Sequence, residues 1–334
     1  MRGLFWEIKF VNASSSNSGP AGAAPTIVIV GGVAGGASAA TRARRMNEQA
    51  RIIMFEKDAY VSFANCGLPY YLGGEIQERA KLLVATQELF EKRFRIDVRT
   101  RQEVVAIDRA AKTVTVENRV TGEVYREHYD KLILAPGANP LSPPLPGLNA
   151  RGVFTLRNLD DTDRIAAALP QARRAVVVGG GFIGLEVAEQ FHARGLQVTL
   201  VEMLPQVLPL LDPEMAEPLH REIEAHGVRL ELGRGIAAVE EMAGAASAVI
   251  LADGTRLPGD LVLLGLGVRP STKLAVDAGL QIGVSGGIAT DDYMRTSDPD
   301  IYAVGDAAEY AYAPTGTRLR VALAGPANRT GRLA

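Results

Sequence analysis

Ala175-Val-Val-Val178, Gly179-Gly-Gly-Phe-Ile-Gly184 and, one helical run later, Gln197-Val-Thr-Leu-Val201 with Glu202 decide the fold. A short β-branched run, a glycine turn, a helix-period segment to about Arg194 and a second β-branched run form a βαβ unit, which requires a parallel sheet. Each glycine has its own task. Gly179 permits the tight turn, Gly181 lets backbone amides approach a pyrophosphate, and Gly184 lets helix and strand pack closely. The phosphates then meet a helix N-terminus, where unpaired N–H groups favour an anion. Glu202 ends the second strand, placed to accept the hydroxyls of a ribose. The segment therefore reads as a dinucleotide site. A 2′-phosphate beside Glu202 would be repelled, and no Arg or Lys directly follows to relieve it, so NADH is expected, with NADPH possible.

The same plan occurs earlier. Thr26-Ile-Val-Ile-Val30 leads into Gly31-Gly-Val-Ala-Gly-Gly36, then a helical run to about Met46, then Arg51-Ile-Ile-Met-Phe55 and Glu56. Val33 occupies the place of the middle glycine, which removes that residue's close-approach role and leaves Gly32 to compensate. Gly31, Gly32, Gly35, Gly36, Glu56 and the adjacent Lys57 are the candidate cofactor residues here. Far downstream, Asp300-Ile-Tyr-Ala-Val-Gly-Asp306 reads as a strand ending in Gly305-Asp306. Its acid is placed to return to the first site and accept a sugar-alcohol hydroxyl, such as that of a flavin ribityl chain.

The expected architecture is α/β, with two Rossmann-like dinucleotide-binding domains, the second inserted into the first; the family resemblance set out below implies that they are FAD/NAD(P)-binding domains, the NAD(P) domain inserted into the FAD domain. The FAD domain is expected over 26–147 and 271–334 and the NAD(P)H domain over 148–270. Residues 1–25 are expected to form a flexible N-terminal extension. The stretch Ala138 to Leu148 holds four prolines and suits a crossover.

Length and composition fit this reading. The chain's 334 residues suffice for two cores, and 47% apolar with 22% charged residues is ordinary globular composition. A net charge of −2 gives no global pull toward nucleic acid or a membrane surface. No window approaches the ~18 apolar residues of a membrane span. Glu7 and Lys9 interrupt the N-terminal apolar run, so it lacks the apolar core of a targeting signal. A single cysteine, Cys66, excludes an intrachain disulfide and fits a reducing compartment, so a cytoplasmic protein without a metal site is expected.

Gly31 to Gly36 with Glu56, Ser62-Phe-Ala-Asn-Cys-Gly-Leu-Pro-Tyr70, Gly179 to Gly184 and Thr296 to Asp306 together resemble the pyridine nucleotide-disulfide oxidoreductases. The single-cysteine branch, coenzyme A-disulfide reductases and NADH-dependent persulfide reductases, is the most similar. The resemblance runs from about residue 26 to 334. It implies FAD at the first turn, NAD(P)H at the second and Cys66 beside the flavin as the redox thiol. It also implies a coenzyme A site at Ser38, Arg42, Arg45, Ser62 and Asn65.

The chemistry of Cys66 follows separately from the residues. The wider family's active disulfide needs a second cysteine, and this chain has none. Cys66 must therefore cycle through an external sulfur or a sulfenic acid. Gly67-Leu-Pro69 reads as a helix start, and a helix N-terminus favours an anion by about 0.3–1 kcal/mol. Ser38, Arg42 and Arg45 fall on one face of the first helix, with Arg44 off it.

In oxidase and peroxidase relatives a histidine in the first glycine turn assists peroxide chemistry. Ala34 stands there, and no histidine precedes His128, which favours a thiol-type substrate. The alternatives are an NADH oxidase or peroxidase and an electron-transfer reductase for an iron–sulfur partner. The resemblance further implies a C-terminal dimerisation domain that is absent from this sequence. The chain is thus expected to be a C-terminally truncated reductase core, with a homodimer for the longer protein.

Overall fold

The computed structural model describes residues 24–312 and 314–334. The extension expected over residues 1–25 lies almost wholly outside the described residues.

The first β-branched run forms the strand Thr26–Val30 at the centre of a five-stranded parallel sheet. Arg51–Glu56 and then Asp97–Thr100 lie on one side, Lys131–Leu134 and then Ile301–Ala303 on the other. The outermost strand comes from far down the chain, so this sheet is discontinuous in sequence. Its central strands are apolar on both faces because both faces are covered. Val28, opposite Ile53 and Leu132, has no exposed surface.

The second sheet repeats the plan. Arg174–Val178 lies between Gln197–Glu202 and Leu261–Leu264, with Arg229–Leu232 and Val153–Phe154 outside them, all parallel. Each half also carries a three-stranded antiparallel sheet in the connection before a parallel strand returns. These are Gln102–Asp108 with Thr113–Asn118 and Val124–His128, and Ile236–Met242 with Ala245–Leu251 and Arg256–Pro258. The two crossovers between the halves run side by side. Ala138–Pro140, from the proline-rich stretch, pairs antiparallel with Val268–Pro270.

One apolar core spans both halves. Phe63, Leu68, Leu72 and Leu82 from the first pack with Leu159, Val187, Phe191 and Leu263 from the second. Each such side chain contributes about 1.5–3 kcal/mol on full burial. Polar contacts fix the same junction. Arg79 makes a two-pronged salt bridge to Asp163 (2.7 Å each) and lies 4.7 Å from the centre of the Tyr60 ring. Asn158 caps the helix Leu159–Ala168 by accepting from the Asp161 amide, while its Nδ2 donates to Asp58 across the junction at 3.0 Å. Among the described residues, no helix is long and apolar enough to cross a membrane.

Candidate active site

Both glycine turns are built alike, down to the hydrogen bonds of their acids. Gly31 has φ +97°, and a Cβ there would meet the Ala135 carbonyl oxygen at 2.1 Å; Gly179 has φ +111° and stands 2.3 Å from the Gly265 oxygen by the same measure. Both positions demand glycine for conformation and space together. Gly36 and Gly184 pack their helices onto the turns so closely that a Cβ would meet the oxygen of Gly31 at 1.8 Å and of Gly179 at 1.9 Å. Glu56 accepts from the Gly32 amide (2.8 Å) and the Asp58 amide (3.0 Å). Glu202 accepts from the Gly180 amide (2.6 Å) and the Leu204 amide (2.8 Å). Each acid thus ties the middle of its turn to the end of its strand. Burial pushes the Glu56 carboxyl above the usual range, against the pull of the two amides and of half-buried Lys57.

The turns differ at one position. Among the described residues, a Cβ on Gly181 would meet nothing within 4 Å, so the backbone there borders open space. Val33 is half-buried and packs against the core shared by the two halves. Its φ of −92° is available to any L-residue, and Gly181 itself has φ −78°. The first turn therefore asks no positive φ of its valine.

The strand Ile301–Ala303 delivers Gly305 and Asp306 to the first turn. A Cβ on Gly35 would meet the Val304 side chain at 3.2 Å, and Gly305 donates its amide to Thr330 Oγ1 at 3.1 Å. Asp306 is half-buried, and its carboxylate accepts no hydrogen bond among the described residues. Burial raises it above the usual range, with Arg157 and Arg320 opposing. An acceptor without a donor, beside a cradle that only glycines allow, fits a cofactor bearing hydroxyls and phosphates. The residues of the first turn therefore suit FAD, and the open N-terminus at Gly181 suits the pyrophosphate of a nicotinamide dinucleotide.

Cys66 is exposed, in the single turn Asn65–Gly67 that leads into the helix Leu68–Gly73. Its loop is anchored on the first glycine turn. Ser62 donates its amide to the Gly32 carbonyl (2.9 Å), and its own carbonyl accepts from Val84 and Ala85 (2.8 and 3.1 Å). Ser62 adopts φ +46°, a left-handed conformation uncommon outside glycine. The helix after Cys66 packs on Phe182–Ala193, the helix that begins at the second glycine turn. There Gly73 approaches so closely that a Cβ would lie 1.6 Å from Gln190 Oε1. The cysteine is thus tied to one turn through Ser62 and to the other through its helix.

The coenzyme A set is placed as follows. Asn65 is exposed beside Cys66, and Arg42 and Arg45 are exposed on the first helix without hydrogen-bond partners among the described residues. Ser38 donates to Asn328 Oδ1 at 2.7 Å, on the packed helix Ala324–Leu333. Arg44 is buried, and its guanidinium donates to five carbonyls: Phe94, Asn47, Glu48, Ala50 and Arg95.

Four further residues at the site were not singled out in the sequence. Arg157 and Arg320 face Asp306. A Cβ on Gly137 would meet Arg157 Nη2 at 2.7 Å. Tyr70 lies near Cys66 and Glu186; the Glu186 charge, followed by burial, raises its hydroxyl above the usual range. Glu186 is itself raised by burial and by Glu189. Tyr70 ends the cysteine motif and Glu186 follows Gly184 by two residues, so adjacency was the available signal. No sequence signal marks the arginines. Among the described residues no cluster of His, Cys, Asp or Glu is arranged to hold a metal ion.

Two glycine turns with matching acid clamps, joined by a loop presenting an exposed thiol, define a two-dinucleotide oxidoreductase. The chain belongs to the pyridine nucleotide-disulphide oxidoreductase family, whose model matches residues 25–331. It is 38% identical over 305 residues to the coenzyme A disulfide reductase of Staphylococcus haemolyticus, covering 91% of this chain and 68% of that protein. Reduced CoADR-RHD of Bacillus anthracis is 50% identical with a TM-score of 0.90, over 93% of this chain and 56% of that one. The NAD-dependent persulfide reductase of A. fulgidus is 37% identical with a TM-score of 0.89, over 92% and 58% respectively. The chain thus spans little more than half the length of these two solved structures.

Proposed function

We propose that this chain is the dinucleotide-binding part of an FAD-dependent NAD(P)H oxidoreductase that reduces coenzyme A disulfide or persulfide through Cys66. The observation that carries it is the placement of the sole cysteine, exposed and joined to both glycine turns. The names of the similar reductases support the same substrate class.

In this reading residues 26–147 and 271–334 hold FAD, through Gly31, Gly32, Gly35, Gly36, Glu56, Lys57, Gly305 and Asp306. Residues 148–270 hold NADH through Gly179, Gly181, Gly184 and Glu202. The bound flavin supplies a two-electron relay between nicotinamide and sulfur. Cys66 thiolate attacks a substrate sulfur; the new bond is Cys66–S, the bond broken is the substrate S–S, and one thiolate leaves and takes a proton. Two electrons and one proton then cleave the Cys66 mixed disulfide, releasing the second thiol and restoring the thiolate. The sum is NADH, one proton and RSSR giving NAD⁺ and two RSH. With a persulfide, one of the two products is hydrogen sulfide.

Ser38, Arg42, Arg45, Ser62 and Asn65 hold the coenzyme A moiety, with the exposed arginines meeting its phosphates. Asn65 stands beside the reacting sulfur as a hydrogen-bond donor. Ala34 offers no proton donor in the first turn, which weighs against peroxide or dioxygen as acceptor. Cys66→Ser is the test. It should keep FAD and its reduction by NADH while losing disulfide-dependent NADH oxidation; full turnover in that variant refutes the thiol role. NADH loss with oxygen alone, undiminished by Cys66→Ser, would point instead to an oxidase.

A further inference from the structure

A cavity of about 1310 Å³ opens between the two halves at the edge of the second sheet opposite its glycine turn. Arg174, Gln197 and Asp260, at or just before the starts of three parallel strands, line it, whereas Gly179 and Glu202 lie at the other ends of those strands. Leu72, Ile76, Leu169 and Leu196 give it an apolar floor. Its volume exceeds the roughly 300–1,000 Å³ of ordinary small-molecule sites.

The charge at its rim is unbalanced. Asp260 is the only carboxylate lining the cavity among the described residues, and it is already satisfied. It accepts from Arg174 Nη2 (2.7 Å) and from the amides of Arg173 and Arg174 (3.1 and 3.0 Å). Those contacts, Arg174 first, hold its carboxyl below the usual range. The Arg173 guanidinium has no hydrogen-bond or ion-pair partner among the described residues. Arg194 donates Nε to the Leu72 carbonyl at 2.8 Å, and its two terminal nitrogens have no acceptor among the described residues. One uncommitted guanidinium and a second with two free nitrogens, above an apolar floor, match an anion with an apolar body, bound by forked hydrogen bonds at one end and burial at the other.

The Leu72 carbonyl connects this cavity to chemistry. It lies near the end of the helix Leu68–Gly73, which follows directly on the turn holding Cys66. Six residues make that helix only about 9 Å long. An anion that engages Arg194 competes for the guanidinium holding the helix's last turn, and a shift there reaches the cysteine. We propose that this cavity binds a carboxylate or sulfonate carrying an acyl or aryl body, and that its occupancy changes the reactivity of Cys66.

The test uses the full chain loaded with FAD, titrated with 8-anilinonaphthalene-1-sulfonate by fluorescence and challenged with decanoate. The probe should bind, be displaced by decanoate and remain bound in saturating NADH. Arg173→Glu, on an exposed side chain, should weaken it about tenfold with an unchanged thermal midpoint. Decanoate should change the rate of Cys66 alkylation by iodoacetamide about twofold or more, and Arg194→Gln should abolish that response. Displacement of the probe by NADH, wild-type affinity in Arg173→Glu, or a Cys66 rate indifferent to decanoate would each overturn the proposal.

Discussion

Gly181→Ala separates what holds the second turn together from what the turn holds. The added methyl group meets nothing within 4 Å among the described residues, and the backbone at φ −78° suits alanine. Two effects on stability nearly cancel. Gly181 is the N-cap of the helix Phe182–Ala193, where alanine is worse than glycine by about 0.5–1 kcal/mol. Restricting the unfolded chain returns about 0.4–1 kcal/mol. The net change is within about 0.5 kcal/mol, or a thermal midpoint shift of about 2 °C or less. Binding should respond far more. The methyl group occupies the space through which a pyrophosphate reaches the helix amides, and each hydrogen bond to a charged group is worth about 1.5–3 kcal/mol. NADH affinity should therefore fall about 10- to 100-fold, measured by calorimetry or by nicotinamide fluorescence. Gly184→Ala is the contrasting case, because its Cβ would stand 1.9 Å from the Gly179 oxygen and unsettle the fold itself. NADH binding to Gly181→Ala at wild-type affinity would show that the turn is not the nicotinamide site. A midpoint lowered by more than about 5 °C would refute the reasoning from open space.

Arg44→Ala should cost about 3–5 kcal/mol by denaturant unfolding, because it strands buried carbonyls that one guanidinium now serves; a cost below about 1 kcal/mol would show that water replaces it. Asp300 bridges Lys112 (2.5 Å) and Lys131 (2.6 Å), and those contacts, Lys112 first, hold its carboxyl below the usual range. A depressed folded value stabilises above the unfolded value of about 4 and is lost as pH falls through the folded one. Both lysines are over two-fifths exposed, so Asp300→Asn should cost at most about 1 kcal/mol at neutral pH and nothing in strong acid. A cost persisting in acid would assign the effect to packing instead. Glu202→Ala should move the NADH-to-NADPH ratio of kcat/KM at least about tenfold toward NADPH; an unchanged ratio would remove Glu202 from the choice of cofactor.

The parallel units were legible because their signals are local. Thr26–Val30 and Ala175–Val178 are β-branched runs beside glycine turns, and the acids Glu56 and Glu202 follow at a fixed distance. The return of Asp306 was readable only by pairing a Gly-Asp strand end with a turn some 270 residues earlier. The junction was not legible. Arg79 with Asp163, Asn158 with Asp58 and the approach of Gly73 to Gln190 pair residues far apart in sequence. Each partner alone reads as an ordinary surface charge, helix cap or turn glycine. Arg44 is a similar case, since helical spacing separates it from Arg42 and Arg45 but cannot show that it is buried.

Val33 marks the limit of the glycine fingerprint as a guide. Read alone, the fingerprint makes its middle glycine a requirement of the turn, so valine counts against the first site. The backbone shows otherwise, because neither Val33 nor Gly181 adopts a positive φ. What glycine supplies there is room. At Gly181 that room is open, at a helix N-terminus that none of the described residues covers within 4 Å. At Val33 the corresponding direction is filled by the core that joins the two halves. Ser62 also reaches the first turn, at the Gly32 carbonyl. The first turn therefore uses its middle position to hold the cysteine-bearing half of the junction, while the second leaves the same position open. The same position is packed in one turn and open in the other, and the residue that breaks the pattern is the one that marks the difference.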